Sequence, residues 1–156
     1  MMSDSMPRCR FDADHMVIRV QKEVPGQVEA IAPVVEQIME VVRQQGCAEN
    51  SEFEIEVSLF EALANAVEHG CRHDPEKRVE VIVGCEEGRG MVIIVRDPGP
   101  GFDPASVPSP VVGENLYADG GRGIFLINQL MDEVRFEKNG TEIWMIKGPG
   151  TAKSSE

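Results

Sequence analysis

The chain has 156 residues, 42% of them hydrophobic and 27% charged, which suits one compact domain with a single core and leaves too little chain for two. Twenty-seven acidic residues against 15 basic ones give a net charge of -12 with no basic cluster, which argues against direct binding to a nucleic-acid backbone. No apolar run approaches the roughly 20 residues that cross a bilayer, and the opening MMSDSMPRCRFDADH lacks the apolar stretch of a secretory signal, so no membrane association and a cytoplasmic location are expected.

Cys9, Cys47, Cys71 and Cys85 are far apart and form no CxxC pair, so reduced thiols are expected rather than a zinc ribbon or a disulfide framework. With one Trp and one Tyr, the chain also lacks the aromatic platforms that grip single-stranded nucleic acid.

Residues 1–14 and 148–156 are polar and unpatterned and are expected to be tails, leaving 15–147 as one domain. Met16 to Val20 predicts a strand, interrupted by Val24-Pro25-Gly26. Val28, Ile31, Val35, Ile38 and Val42 recur at helical spacing and Gly46 supplies a stop; Pro33 is tolerable only in the first turn. A second helix is predicted over Phe53 to Glu68, through Ile55, Leu59, Leu63, Ala66 and Val67, ending near Gly70. VEVIVGC, a loop, and MVIIVRD then predict an antiparallel hairpin. A third helix is expected from GGRG to about Met131, before a second hairpin, VRFEK-NG-TEIWMIK. Hairpins with helices between them predict an α/β fold of the α+β two-layer kind: a mixed, largely antiparallel sheet with helices on one face. Residues 102–120 fit neither period, and a loop this long inside a compact domain is usually functional, often a lid.

Four places could carry chemistry. Glu61 and Asn65 stand four apart in EALANAVEHG, so a carboxylate and an amide share one helix face, where an ordinary solvated stripe is the plainer reading. The flanking Ala62, Ala64 and Ala66 suit a close approach to that helix. Asp97 ends a strand in DPGPGF, where it can accept a proton from an exocyclic amine while Gly99 and Gly101 let the backbone run close to a planar ligand; an ordinary Pro-Gly turn would look similar. Gly121, Arg122 and Gly123 lead into the third helix, whose free N–H groups and dipole suit an anion such as phosphate, although the spacing is not that of the GxxxxGK(S/T) loop. Thr141 opens the last strand and offers a hydroxyl. A soft-metal reading of His69, Cys71 and His73 competes, but three ligands need a fourth.

Order and separation decide among these readings: 32 residues from Asn65 to Asp97, 20 from Gly101 to Gly121, and 18 from Gly123 to Thr141. Together the four segments resemble the nucleotide-binding boxes of the GHKL, or Bergerat-fold, ATPase superfamily over about residues 53–147. EALANAVEHG, GGRGIFLINQLMDEV and NGTEIWMIK resemble in particular the bacterial anti-sigma-factor serine/threonine-protein kinases. That resemblance implies ATP and Mg²⁺ as cofactors, with Asn65 on the metal and Glu61 orienting the attacking hydroxyl as general base. It implies Asp97 on the adenine amine, Gly99 and Gly101 shaping pocket and lid hinge, Gly121 and Gly123 holding phosphates, Arg122 adding a cation, and Thr141 on the adenine side. It further implies a homodimer that binds a sigma factor and phosphorylates an anti-anti-sigma antagonist. The alternative is a non-catalytic ATP-gated binding module; a histidine kinase would need a helical phosphoacceptor domain that the chain lacks.

Overall fold

The computed structural model describes residues 17–46, 50–86, 90–99 and 121–148. Strand β1 (Val17–Pro25) is followed by a 3-10 turn (Val28–Ala30), helix α1 (Ile31–Gln45) and helix α2 (Glu52–Asn65). Strands β2 (Arg78–Glu86) and β3 (Gly90–Arg96) form the first hairpin, and helix α3 (Gly121–Leu130) leads to the second, β4 (Glu133–Glu137) and β5 (Glu142–Lys147). The five described strands lie in the order β1-β2-β3-β5-β4, and each of the four pairings among them is antiparallel. The expectation of a mixed sheet is thus refined. β3 and β4 run the same way across the α3 connection, but β5 folds back between them, so no parallel pair forms among the described residues.

Period-two patterning builds the core. Val79, Val81, Val83 and Cys85 of β2, Met91, Ile93 and Val95 of β3, and Met145 of β5 face the helices. Alternate residues Ile82, Val92, Ile94 and Ile146 cluster with Trp144 on the other face. From α1, Ile31, Val35, Ile38, Met39 and Val42 enter the core. Val28, expected on the same face, sits in the 3-10 turn and is exposed. Pro33 is the third residue of α1, where no intrahelical partner is needed for its missing N–H. Gly46 closes the helix at φ 70°, donating its N–H to the carbonyls of Arg43 and Val42. Helix α2 buries Ile55, Leu59, Ala62 and Leu63 while Phe53 and Phe60 point outward.

The join between α3 and the sheet is polar. Lys147, buried on β5, donates from Nζ to the Leu130 carbonyl at 2.6 Å and lies 3.8 Å from an Asp132 carboxylate oxygen. A cation thus meets the orphan carbonyls and negative dipole end of α3. Lys147→Met is expected to lower stability by about 1–3 kcal/mol through the unpaired carbonyl it leaves, read from urea unfolding at unchanged slope.

The expectation of four reduced thiols is corrected at Cys85, which is disulfide-bonded. Its partner lies outside the described residues, because Cys71 is free and buried. Local spacing identifies CxxC pairs; a long-range bridge depends on Cα separation, which only the fold sets. Among the described residues, no helix is long and apolar enough to cross a membrane.

Candidate functional site

Glu61 and Asn65 are both half-buried on α2. Neither side chain has a hydrogen-bond or ion-pair partner among the described residues. Directly after Asn65 the α-helical ladder widens into a π turn (Ala66–Gly70), with the Cys71 N–H reaching the Ala66 carbonyl at 2.9 Å. Such single turns interrupt helices where a side chain or backbone must be re-aimed. Here the turn carries Gly70 against Asp97, at the end of β3.

Asp97 is half-buried and fixed twice. Its N–H donates to the Thr141 carbonyl at 2.9 Å, continuing the β3–β5 ladder, and its Oδ1 accepts the Gly99 N–H at 2.8 Å. The second carboxylate oxygen has no protein donor among the described residues. Burial pushes the Asp97 carboxyl above the ordinary aspartate value, partly countered by the Gly99 N–H and nearby His69. Because the folded value lies above the unfolded one, the charge costs the ligand-free protein stability above that pH, and the cost disappears on acidification.

A cleft open to solvent joins these elements. Ala62, Asn65 and Ala66 of α2 and its π turn form one wall, and Asp97, Gly140 and Thr141 form another. Val95, Ile124, Ile127, Phe136 and Ile143 supply the apolar lining. The Thr141 hydroxyl donates to the Lys138 carbonyl at 2.8 Å, which leaves its lone pairs to accept. This turn differs in register from the expected Asn-Gly hairpin. Glu137 pairs with Glu142, the Gly140 N–H donates to the Glu137 carbonyl at 3.1 Å, and Lys138 and Asn139 are the left-handed central pair at φ 54° and 59°. Gly140 and Thr141 are thereby left to line the cleft.

The structure brings Asn65, Asp97 and Thr141 into one cleft. Glu61 is one helical turn from Asn65 and outside the cleft lining, as is Gly99, which donates its N–H to Asp97. Gly121, Arg122 and Gly123 occupy the first turn of α3, which presents Ile124 and Ile127 to the cleft. Gly101 and the 102–120 loop lie outside the described residues. His69, Cys71 and His73 form no metal-ligating group; among the described residues no three His, Cys, Asp or Glu side chains do.

Sequence reasoning missed the apolar lining and Gly70. Alternation along β3 and β5 placed Val95 with Asp97 and Ile143 with Thr141, a signal for the lining. Gly70 gave no such signal, since it read only as a helix stop. A Cβ there would stand 2.5 Å from the Asp97 Cβ and Oδ1, and one on Gly99 would stand 2.7 Å from the Gly70 Cα and carbonyl oxygen. Gly70→Ala is therefore expected to displace Asp97, costing about 1–3 kcal/mol of stability and weakening ligand binding, measured by thermal unfolding and nucleotide titration.

Chemically, the cleft suits a flat heterocycle bearing an exocyclic amine. Its apolar side chains could pack against a ring, the Asp97 carboxylate could accept from an amine, and Asn65 offers an amide on the adjoining wall. The chain is 28% identical over 137 residues to the serine-protein kinase RsbW of Bacillus subtilis (strain 168), covering 82% of this chain and 84% of that protein. It is 27% identical over 139 residues to the serine-protein kinase RsbW of Bacillus thuringiensis (strain Al Hakam), covering 83% and 84%. The family model for the histidine kinase-like ATPase domain matches residues 24–147, from the end of β1 to the end of β5 and across every wall of the cleft, and the chain belongs to that family.

Proposed function

We propose that the chain is an ATP-dependent serine/threonine-protein kinase that acts as an anti-sigma factor, binding a sigma factor and phosphorylating an anti-anti-sigma antagonist. The observation that carries this reading is the convergence of Asn65, Asp97 and Thr141 on one cleft against the start of α3. Relatives named as serine-protein kinases support the choice of phosphoacceptor. A homodimer in the cytoplasm, without contact to nucleic acid or membrane, belongs to the same reading.

Asp97 binds the adenine amino group through its free oxygen, and Thr141 supports that side of the ring. The first turn of α3, with Gly121, Arg122 and Gly123, neutralises the phosphates. Asn65 would hold Mg²⁺ through its amide oxygen. The amide oxygen of Asn65, on the wall of the cleft, is a hard donor that suits an ion bound mostly by phosphate and water. Bound Mg²⁺ supplies charge neutralisation at the phosphates.

In the transfer, the bond from the γ-phosphorus to the bridging oxygen of ADP breaks and a bond to the substrate hydroxyl oxygen forms, with the hydroxyl proton passing toward Glu61. A carboxylate is a weak base for such a hydroxyl, but a loose transition state needs that proton only late. Glu61 therefore orients the nucleophile more than it deprotonates it, and positioning is the larger contribution of the site.

One observation favours a second reading. Glu61 does not line the cleft, so a nucleotide-gated binding module without catalysis would use the same pocket. The test is incubation of the purified chain with Mg²⁺ and γ-labelled ATP, together with candidate antagonists. Label on serine or threonine of one antagonist is the expected result; nucleotide binding with no transfer to any of them would favour the gated module.

A further inference from the structure

The face of the sheet turned away from the cleft carries a charged ladder directly behind the purine-facing residues. Glu80, Arg96 and Glu142 are consecutive register partners across β2, β3 and β5. Arg96 Nε is paired with Glu142 Oε2, and its Nη1 donates to Glu80 Oε1 at 3.2 Å. The other Glu142 oxygen accepts the Trp144 Nε1–H at 2.9 Å, and the Arg135 guanidinium lies 5.1 Å from the centre of the Trp144 ring. Glu142 is only 2% exposed. Burial alone would raise its carboxyl, but the Trp144 and Arg96 donors outweigh it and hold the group below the ordinary glutamate value.

Burying the Glu142 carboxylate at a strand end is costly, even with the Arg96 side chain 41% exposed. What an ion pair adds is a fixed geometry. Arg96 and Glu142 are each one residue from a cleft residue, Asp97 and Thr141, and successive strand residues point to opposite faces. Asp97 and Thr141 are joined by the 2.9 Å backbone hydrogen bond that follows the ion pair in the ladder. Locking one pair on the back of the sheet therefore sets the spacing and tilt of the other pair on the front.

We propose that the Arg96–Glu142 pair, seated by Trp144 and Glu80, is a positioning clamp that holds Asp97 and Thr141 at the separation needed to discriminate an adenine from a guanine base. The clamp touches no ligand, and it rests on the assignment of the cleft as a purine site.

The test compares the full chain with Glu142→Gln and Arg96→Lys, titrating each with nonhydrolysable adenine and guanine triphosphate analogues and recording its melting temperature. Glu142→Gln keeps the shape and removes the charge; Arg96→Lys keeps the charge and removes the planar fork. Wild type is expected to prefer the adenine analogue. In both variants adenine affinity is expected to fall about tenfold with a smaller change for guanine, so that preference shrinks while the protein remains folded at the titration temperature. Lower melting temperatures with an unchanged base preference would assign the pair to stability alone and overturn the clamp. A wild type that binds neither analogue would instead overturn the purine reading beneath it. Should Glu142→Gln fail to fold, Arg96→Lys gives the same two-way answer.

Discussion

Asp97→Asn is expected to weaken ATP binding by about 10- to 100-fold, the loss of one hydrogen bond to a charged acceptor, with the fold intact. The variant can keep its local turn, because an amide oxygen still accepts the Gly99 N–H that Oδ1 accepts in the native chain. The group then facing the ligand is an NH₂, a donor turned toward the adenine amine, itself a donor. The pH dependence carries the same signature. Since burial raises the Asp97 carboxyl, wild-type affinity should decline on acidification at a pH above that of an ordinary aspartate, and the variant should lack that decline. Calorimetric titration with Mg²⁺ and ATP across a pH series reads both effects, and equal affinity of the two proteins at neutral pH would remove Asp97 from the site.

Glu61→Ala is expected to lower phosphoryl transfer by about 100- to 10,000-fold, the usual range for a positioned acid or base, while ATP affinity changes little. The separation follows from geometry. Glu61 is half-buried, one turn from Asn65, and outside the cleft lining, so its removal takes away no wall that the nucleotide would touch. Glu61→Gln, which keeps an oxygen for orienting a hydroxyl and cannot take its proton, separates positioning from proton transfer by the activity it retains. Single-turnover transfer to an antagonist protein, with nucleotide affinity measured alongside, checks the prediction. If regulation of a protein partner persists unchanged in Glu61→Ala, the gated-module reading gains and the kinase reading fails.

Much of this molecule was legible before its fold was. Helices α1 and α2 follow from apolar residues at three- and four-residue spacing, and Gly46 ends the first where expected because only a left-handed residue satisfies both last carbonyls. The two hairpins follow from short branched runs interrupted by glycine. Asn65, Asp97 and Thr141 were singled out by residue type and chain order, and the cleft contains all three. These features are local, or depend on sequence order, so a linear chain records them.

Other features arise only when distant segments meet. The insertion of β5 between β3 and β4, which leaves no parallel pair among the described residues, is a long-range pairing that local periodicity does not encode. The need for glycine at position 70 comes from the Asp97 side chain 27 residues away, and the Cys85 bridge from a separation no spacing rule encodes. The ladder from Glu80 through Arg96 to Glu142 joins three strands, whereas each of its charges alone reads as an ordinary surface residue. Thus the sequence by itself determined the elements and the chemical groups available, because periodicity and backbone preference act over a few residues. Tertiary structure alone decided their register, burial and mutual distances, because those are set by packing between segments far apart in the chain.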